Sequence, residues 1–148
     1  MKKVLAIASG GGHWKQLMQL KPAFDNYDVT YATTITGLAE KSDIQNAIIV
    51  PDANRNEKFK IIQLFFSLFW QLLKIRPDVV VTTGAAPGLL AILFGRILFA
   101  KTLWIDSVAN AAELSMAGRL SKKLAHQTLS QWPEVAASEG VDYAGSVL

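Results

Sequence analysis

Ser9-Gly10-Gly11-Gly12-His13 follows the apolar run Val4-Leu5-Ala6-Ile7-Ala8 and precedes the helix-like stretch Trp14 to Leu20. That order reads as strand, loop, helix, with an ionisable ring at the helix start. Glycines at such a junction bring the backbone close to a ligand, and the free amides of the following helix favour an anion or a hydroxyl. Ser9, Gly10, Gly11 and Gly12 are therefore expected to line a ligand site. A dinucleotide fingerprint would need a further glycine where Lys15 stands and an acid near Thr33 and Thr34, so NAD is disfavoured. A lone histidine is more often structural than catalytic. At the C-terminal end of a strand, however, His13 stands where open α/β sheets keep their chemistry.

Outward from this loop, short apolar runs alternate with helical stretches. Strands are expected at 4–9, 28–34, 46–50, 78–83, 102–106 and 127–131, with helices at 13–21, 36–43, 57–75, 86–99, 115–125 and 133–139. The pattern predicts an α/β fold with a parallel sheet of about six strands covered by helices on both faces. Its 148 residues suit a single domain, 1–148, and Tyr143 to Leu148 reads as the exit from it. Hydrophobic residues make up 51% and charged residues 18%, so apolar surface beyond the core is expected. A net charge of +3 without basic runs suits phosphate groups or an anionic membrane better than nucleic acid, which is not expected as a partner. Cysteine is absent and only two histidines occur, so neither a disulfide framework nor a metal cage is expected. No secretion signal is expected after Met1-Lys2-Lys3.

Two further strand ends carry chemistry. Thr82-Thr83-Gly84-Ala85-Ala86-Pro87-Gly88 forms a turn of small residues at a helix start, a second wall for the same ligand. Trp104-Ile105-Asp106-Ser107-Val108-Ala109-Asn110 places an acid at the end of another strand. Strand C-termini of a parallel sheet share one edge, so His13, Thr83, Asp106, Ser107, Asn110 and Gln131 are expected to converge. His13 and Asp106 are the candidate bases. Asp106 could accept the proton, orient the imidazole or serve only as a helix cap, and Thr83, Gly84, Ser107 and Asn110 are candidate acceptor-binding residues.

Between Lys58 and Arg76 the polar residues Lys60, Gln63, Ser67, Gln71 and Lys74 form one narrow stripe on an otherwise apolar helix. The apolar arc is wider than the roughly 100° that covering a sheet requires. Thirteen residues, Ile61 to Leu73, fall short of the roughly 20 that span a bilayer. Phe65, Phe69 and Trp70, flanked by Lys58 and Lys74, are expected to lie on a membrane surface or against a partner; a deeply buried core helix is the other reading.

The stretches 104–119, Ala125 to Pro133 and Tyr143 to Leu148, taken with the glycine loop, Gln16-Leu17 and the 82–88 turn, resemble a known family across essentially the whole chain. It is that of the acceptor-side, membrane-anchoring subunit of the split N-acetylglucosaminyltransferase of asparagine-linked glycosylation, and of its bacterial PssD-like members in exopolysaccharide and capsule assembly. The resemblance implies the N-terminal half of a Rossmann-like GT-B glycosyltransferase, similar to the acceptor domain of MurG. It also implies a lipid-pyrophosphate-linked saccharide as acceptor and peripheral attachment to the cytoplasmic face of the cell membrane. The donor, a UDP-sugar, would be held by a small nucleotide-sugar-binding partner subunit, with no tightly bound cofactor in this chain. Asp106 stands where eukaryotic members tend to carry Glu, and no Asp-x-Asp pair is present, so metal dependence is not expected. A noncatalytic membrane scaffold that recruits and activates a partner transferase is the rival expectation.

Overall fold

The computed structural model describes residues 1–54 and 56–147; Leu148, the end of the last family-like stretch, lies outside them. Strands β1 (Lys3–Ile7), β2 (Asp28–Thr33), β3 (Ile48–Ile49), β4 (Val79–Thr82), β5 (Lys101–Ile105), β6 (Gln127–Ser130) and β7 (Asp142–Tyr143) form one sheet in the order β3-β2-β1-β4-β5-β6-β7. Every neighbouring pair is parallel. Six strands fall where the apolar runs place them. The seventh is a two-residue Asp-Tyr edge, too short and polar to announce itself.

Helices α1 (Gly12–Gln19), α2 (Lys58–Ile75), α3 (Ala85–Ile97), α4 (Met116–Leu124) and α5 (Pro133–Glu139) occupy the connections. The helix expected over 36–43 shrinks to a 3₁₀ turn, Glu40–Ser42. Gly37 at φ 85° and Asp43 at φ 58° take the backbone out of the right-handed region on both sides of it.

Alternate strand residues face opposite sides. Leu5, Ile7, Val80 and Trp104 pack with Leu64, Leu68 and Leu72 of α2 and with Ile92 and Phe94 of α3. Ala6 and Ala8 turn the other way, towards Trp14 and Leu17 of α1 and Tyr31 of β2. Leu64, Leu68 and Leu72 recur every four residues and so form one buried stripe; sealing each from water contributes about 1.5–3 kcal/mol. Helix α3 lies close to the sheet because Gly95 has no side chain: a Cβ there would stand 2.8 Å from a Val80 methyl.

Only part of the apolar arc of α2 is spent on this core. Phe59, Ile62, Phe66 and Trp70 are exposed, and the Lys74 ammonium sits 5.6 Å from the Trp70 ring centre. Phe65 and Phe69, expected on the outer face, border the α2–α3 seam, where their rings meet Phe94 edge-on at 4.8 and 5.1 Å; Phe65 is exposed all the same, and Phe69 is half-buried. Phe94 rising from α3 gives them an intramolecular partner that helix periodicity cannot reveal. Lys58 remains exposed at the start of the helix. Among the described residues no helix is long and apolar enough to cross a membrane.

Candidate functional site

The chain leaves β1 towards β2 on one side and returns to β4 on the other, so the crevice between β1 and β4 is the switch point where open parallel sheets bind ligands. His13 lies on one lip, in the first turn of α1, and Thr83 on the other, just after β4. They are tied twice. The His13 Nδ1 lies 3.0 Å from the Thr83 carbonyl oxygen, and the Thr83 hydroxyl donates to the His13 carbonyl at 2.6 Å. A carbonyl can only accept, so Nδ1 carries a proton and Nε2 is the nitrogen free to gain or lose one. The ring is half-buried.

The local sequence makes this seat. Gly84 holds φ at 138°, and a Cβ on it would fall 2.5 Å from His13 Nδ1 and 2.7 Å from Cε1. No other residue leaves the ring its place. Ala85 follows at φ 68°, a left-handed alanine of the sort of strain that collects at functional sites. In the first loop Gly11 supplies the positive φ, 68°, that starts α1, while Gly10 leaves room for the Ile35 side chain and donates its amide to the Thr34 hydroxyl at 3.3 Å. A Cβ on Gly12 would meet nothing, which leaves space beside the helix start, where the first amides have no partner within the helix. Ser9 borders this loop, half-buried.

Asp106 reaches the same edge but is differently placed. It is 2% exposed and accepts four hydrogen bonds: from Trp104 Nε1 at 3.0 Å, Asn110 Nδ2 at 3.1 Å, the Ser115 amide at 3.0 Å and the Ser115 hydroxyl at 2.6 Å. Both carboxylate oxygens are thus committed to closing the loop between β5 and α4. The group that orients the His13 ring is the Thr83 carbonyl. Asn110 is likewise spent on Asp106, and the Ser107 hydroxyl accepts from Gln16 Nε2 at 3.2 Å and from the Ala109 amide at 3.2 Å.

A buried pair of amides joins the two groups of residues. Gln131 Nε2 donates to Gln16 Oε1 and, at 2.9 Å, to the Asp106 carbonyl, while the Val147 amide donates to Gln131 Oε1 at 2.7 Å. Gln16 stands three residues from His13 and so on the same side of α1, a spacing that could have announced it in the sequence. Ser115 is the N-cap of α4, accepting from the Gly118 amide at 2.9 Å; a serine just before a helical run was its signal. Among the described residues no three His, Asp or Glu side chains gather as a metal site would require.

Comparison with known proteins bears on this geometry. The UDP-N-acetylglucosamine transferase subunit alg14 of Schizosaccharomyces pombe is 23% identical over 177 residues, covering 99% of this chain and 83% of the yeast protein. The crystal structure of Acinetobacter baumannii MurG superposes with a TM-score of 0.72 at 19% identity, over 91% of this chain and 43% of MurG. The UDP-GlcNAc 2-epimerase of Methanocaldococcus jannaschii, solved with UDP-GlcNAc and UDP, gives 0.71 at 16% identity, over 97% of this chain and 46% of the epimerase. At such identities the likeness is one of fold, that of a Rossmann-like half of a GT-B enzyme, and the chain spans less than half of either structure. The model of the family described as oligosaccharide biosynthesis protein Alg14 like matches residues 38–147, well over half of the chain and inclusive of the 82–88 turn and Asp106. The chain belongs to that Alg14-like family.

Proposed function

We propose that this chain is the acceptor-binding subunit of a glycosyltransferase, working with a small partner subunit that holds a UDP-sugar. The acceptor is a lipid-pyrophosphate-linked saccharide at the cytoplasmic face of the membrane, in the assembly of an exopolysaccharide or capsule, as in PssD-like proteins. One observation carries the reading: the His13 ring, fixed by Thr83 and Gly84 at the switch point, with Nε2 unengaged by the Nδ1 bond. The acceptor hydroxyl oxygen forms its new bond to the anomeric carbon as the bond to UDP breaks. UDP leaves with the electron pair, and the hydroxyl proton passes to Nε2 of His13. The exposed Gly11 and Gly12 and the amides at the start of α1 suit the acceptor or its phosphates.

Kinship to a transferase subunit supports the reaction class, and the exposed ridge of α2 with Lys58 and Lys74 supports the membrane surface. The commitment of Asp106 to its four donors supports His13 over Asp106 as the base and suits Asp106 to shaping the acceptor wall. It also sets up the competing reading, a scaffold that only recruits and activates its partner. Reconstitution with a nucleotide-sugar-binding partner, a labelled UDP-sugar and a lipid-pyrophosphate saccharide tests both. Transfer is expected from the complex and from neither chain alone, and it should depend on His13. Full transfer by a His13→Ala complex leaves the scaffold.

A further inference from the structure

Helix α3 ends in a turn that suits glycine, and the sequence supplies phenylalanine. The Ala100 amide donates to the Gly95 carbonyl at 2.8 Å and the Phe99 amide to the Arg96 carbonyl at 3.2 Å, the paired bonds of a helix end whose next residue is left-handed. That residue is Phe99, at φ 65°, where any Cβ is penalised. Its ring is 96% exposed and gains nothing from its own chain. Arg76, also left-handed at φ 48°, closes α2 nearby. Together the two turns flank a hollow of about 380 Å³ lined by Leu73, Arg76, Pro77, Asp78, Ile97 and Phe99.

Both helices run against the direction of the strands, so this hollow lies at the sheet edge opposite His13. It continues the exposed ridge of α2 through Trp70 and Leu73 onto Ile97 and Phe99. The surrounding charge is cationic: Lys74, Arg76, Arg96 and Lys101 are all exposed. Asp78 is the acid in the hollow, and its Oδ2 accepts from the Lys3 backbone amide at 2.8 Å.

We propose that Phe99, with Ile97 beside it, is a second membrane anchor that enters an anionic phospholipid surface together with the ridge of α2. The proposal rests on the reading of α2 as the membrane-facing helix. An apolar tip ringed by Lys and Arg fits the boundary between acyl chains and anionic headgroups. With α2, 18 residues and so about 27 Å long, lying along the surface and Phe99 inserted beyond its C-terminus, the strands run along the membrane as well. The His13 edge then opens sideways over the bilayer, towards lipids diffusing in its plane.

The test uses the full chain and vesicles of phosphatidylcholine with and without phosphatidylglycerol. Phe99→Gly removes the ring and relieves the left-handed strain, so it should weaken partitioning into anionic vesicles about tenfold while the melting temperature stays level or rises. Phe99→Trp should restore binding. If Phe99→Gly partitions like the parent while a Phe66→Ser, Trp70→Ser double variant is released, the second anchor is wrong and the α2 reading stands. If the parent chain ignores all vesicles, both fail. A melting temperature that falls with Phe99→Gly makes the ring structural, and a shift from dimer to monomer in light scattering makes this edge a self-association face; either result overturns the proposal.

Discussion

The two histidines of the chain lie at opposite edges of one sheet, and the backbone groups they meet give their rings opposite roles. His13 follows β1 at the C-terminal edge, and its Nδ1 donates to the Thr83 carbonyl. His126 precedes β6 at the N-terminal edge, and its Nδ1 accepts from the Thr102 amide at 3.2 Å. The proton therefore sits on Nδ1 in the first ring and on Nε2 in the neutral form of the second. His13 turns a lone pair away from its anchor, whereas His126 has spent its own on the backbone. Residue type is equal in the two cases. The polarity of the nearest backbone group separates a ring whose Nδ1 donates from one whose Nδ1 accepts.

The largest expected effect separates them directly. In the assembled complex His13→Ala should lower turnover by about 10²- to 10⁴-fold with partner binding intact, and His126→Ala should leave turnover unchanged. Equal losses from the two variants would erase the distinction. Nitrogen chemical shifts of the two rings sharpen it independently, since they report which nitrogen is protonated in each.

Asp106→Ala comes next and acts on the fold. Four donors lose their acceptor in a buried place, so denaturant unfolding should show about 3–4 kcal/mol less stability. A variant with full stability and no turnover would instead move Asp106 into the reaction beside His13. Gly84→Ala is expected to push the imidazole aside and cost about 10²-fold in turnover, because misplacement of a reacting group by about 1 Å has that effect. Added to His13→Ala it should cost nothing further; an additive loss would show that Gly84 serves something other than the ring.

The smallest effect belongs to His126. Burial, then the positive charges of Arg96 and Lys101, hold its pKa below the ordinary histidine value. A pKa depressed in the folded state gives stability that is present above about 6.5, the unfolded value, and lost as pH falls through the lower folded value. The ring is exposed, so the contribution is modest. Melting temperatures measured from neutral to mildly acidic pH should fall less in His126→Ala than in the parent chain, and parallel curves would contradict the lowered pKa.

Much of this was legible in the sequence. The apolar runs placed six strands, and the parallel arrangement then put His13, Thr83, Asp106, Ser107 and Gln131 at one edge without further information. What escaped depended on partners from elsewhere. The group that orients His13 is a backbone carbonyl 70 residues away, and carbonyls carry no sequence signature. The saturation of Asp106 arises from a loop folding back through Asn110 and Ser115, of which only the capping serine could be read. On α2 the excess of apolar surface was plain, but that the edges of Phe65 and Phe69 meet a ring of the next helix depended on Phe94.

The linkage of Gln16 to Gln131 has a mechanical consequence. An amide side chain is a rigid plate, and here two of them, nearly sealed from water, connect the Val147 backbone to the helix that bears His13. They act as a short strut laid across the sheet edge. The backbone at Val147 and the helix that carries the imidazole are thus joined through two side-chain hydrogen bonds, a route separate from the apolar packing of the core.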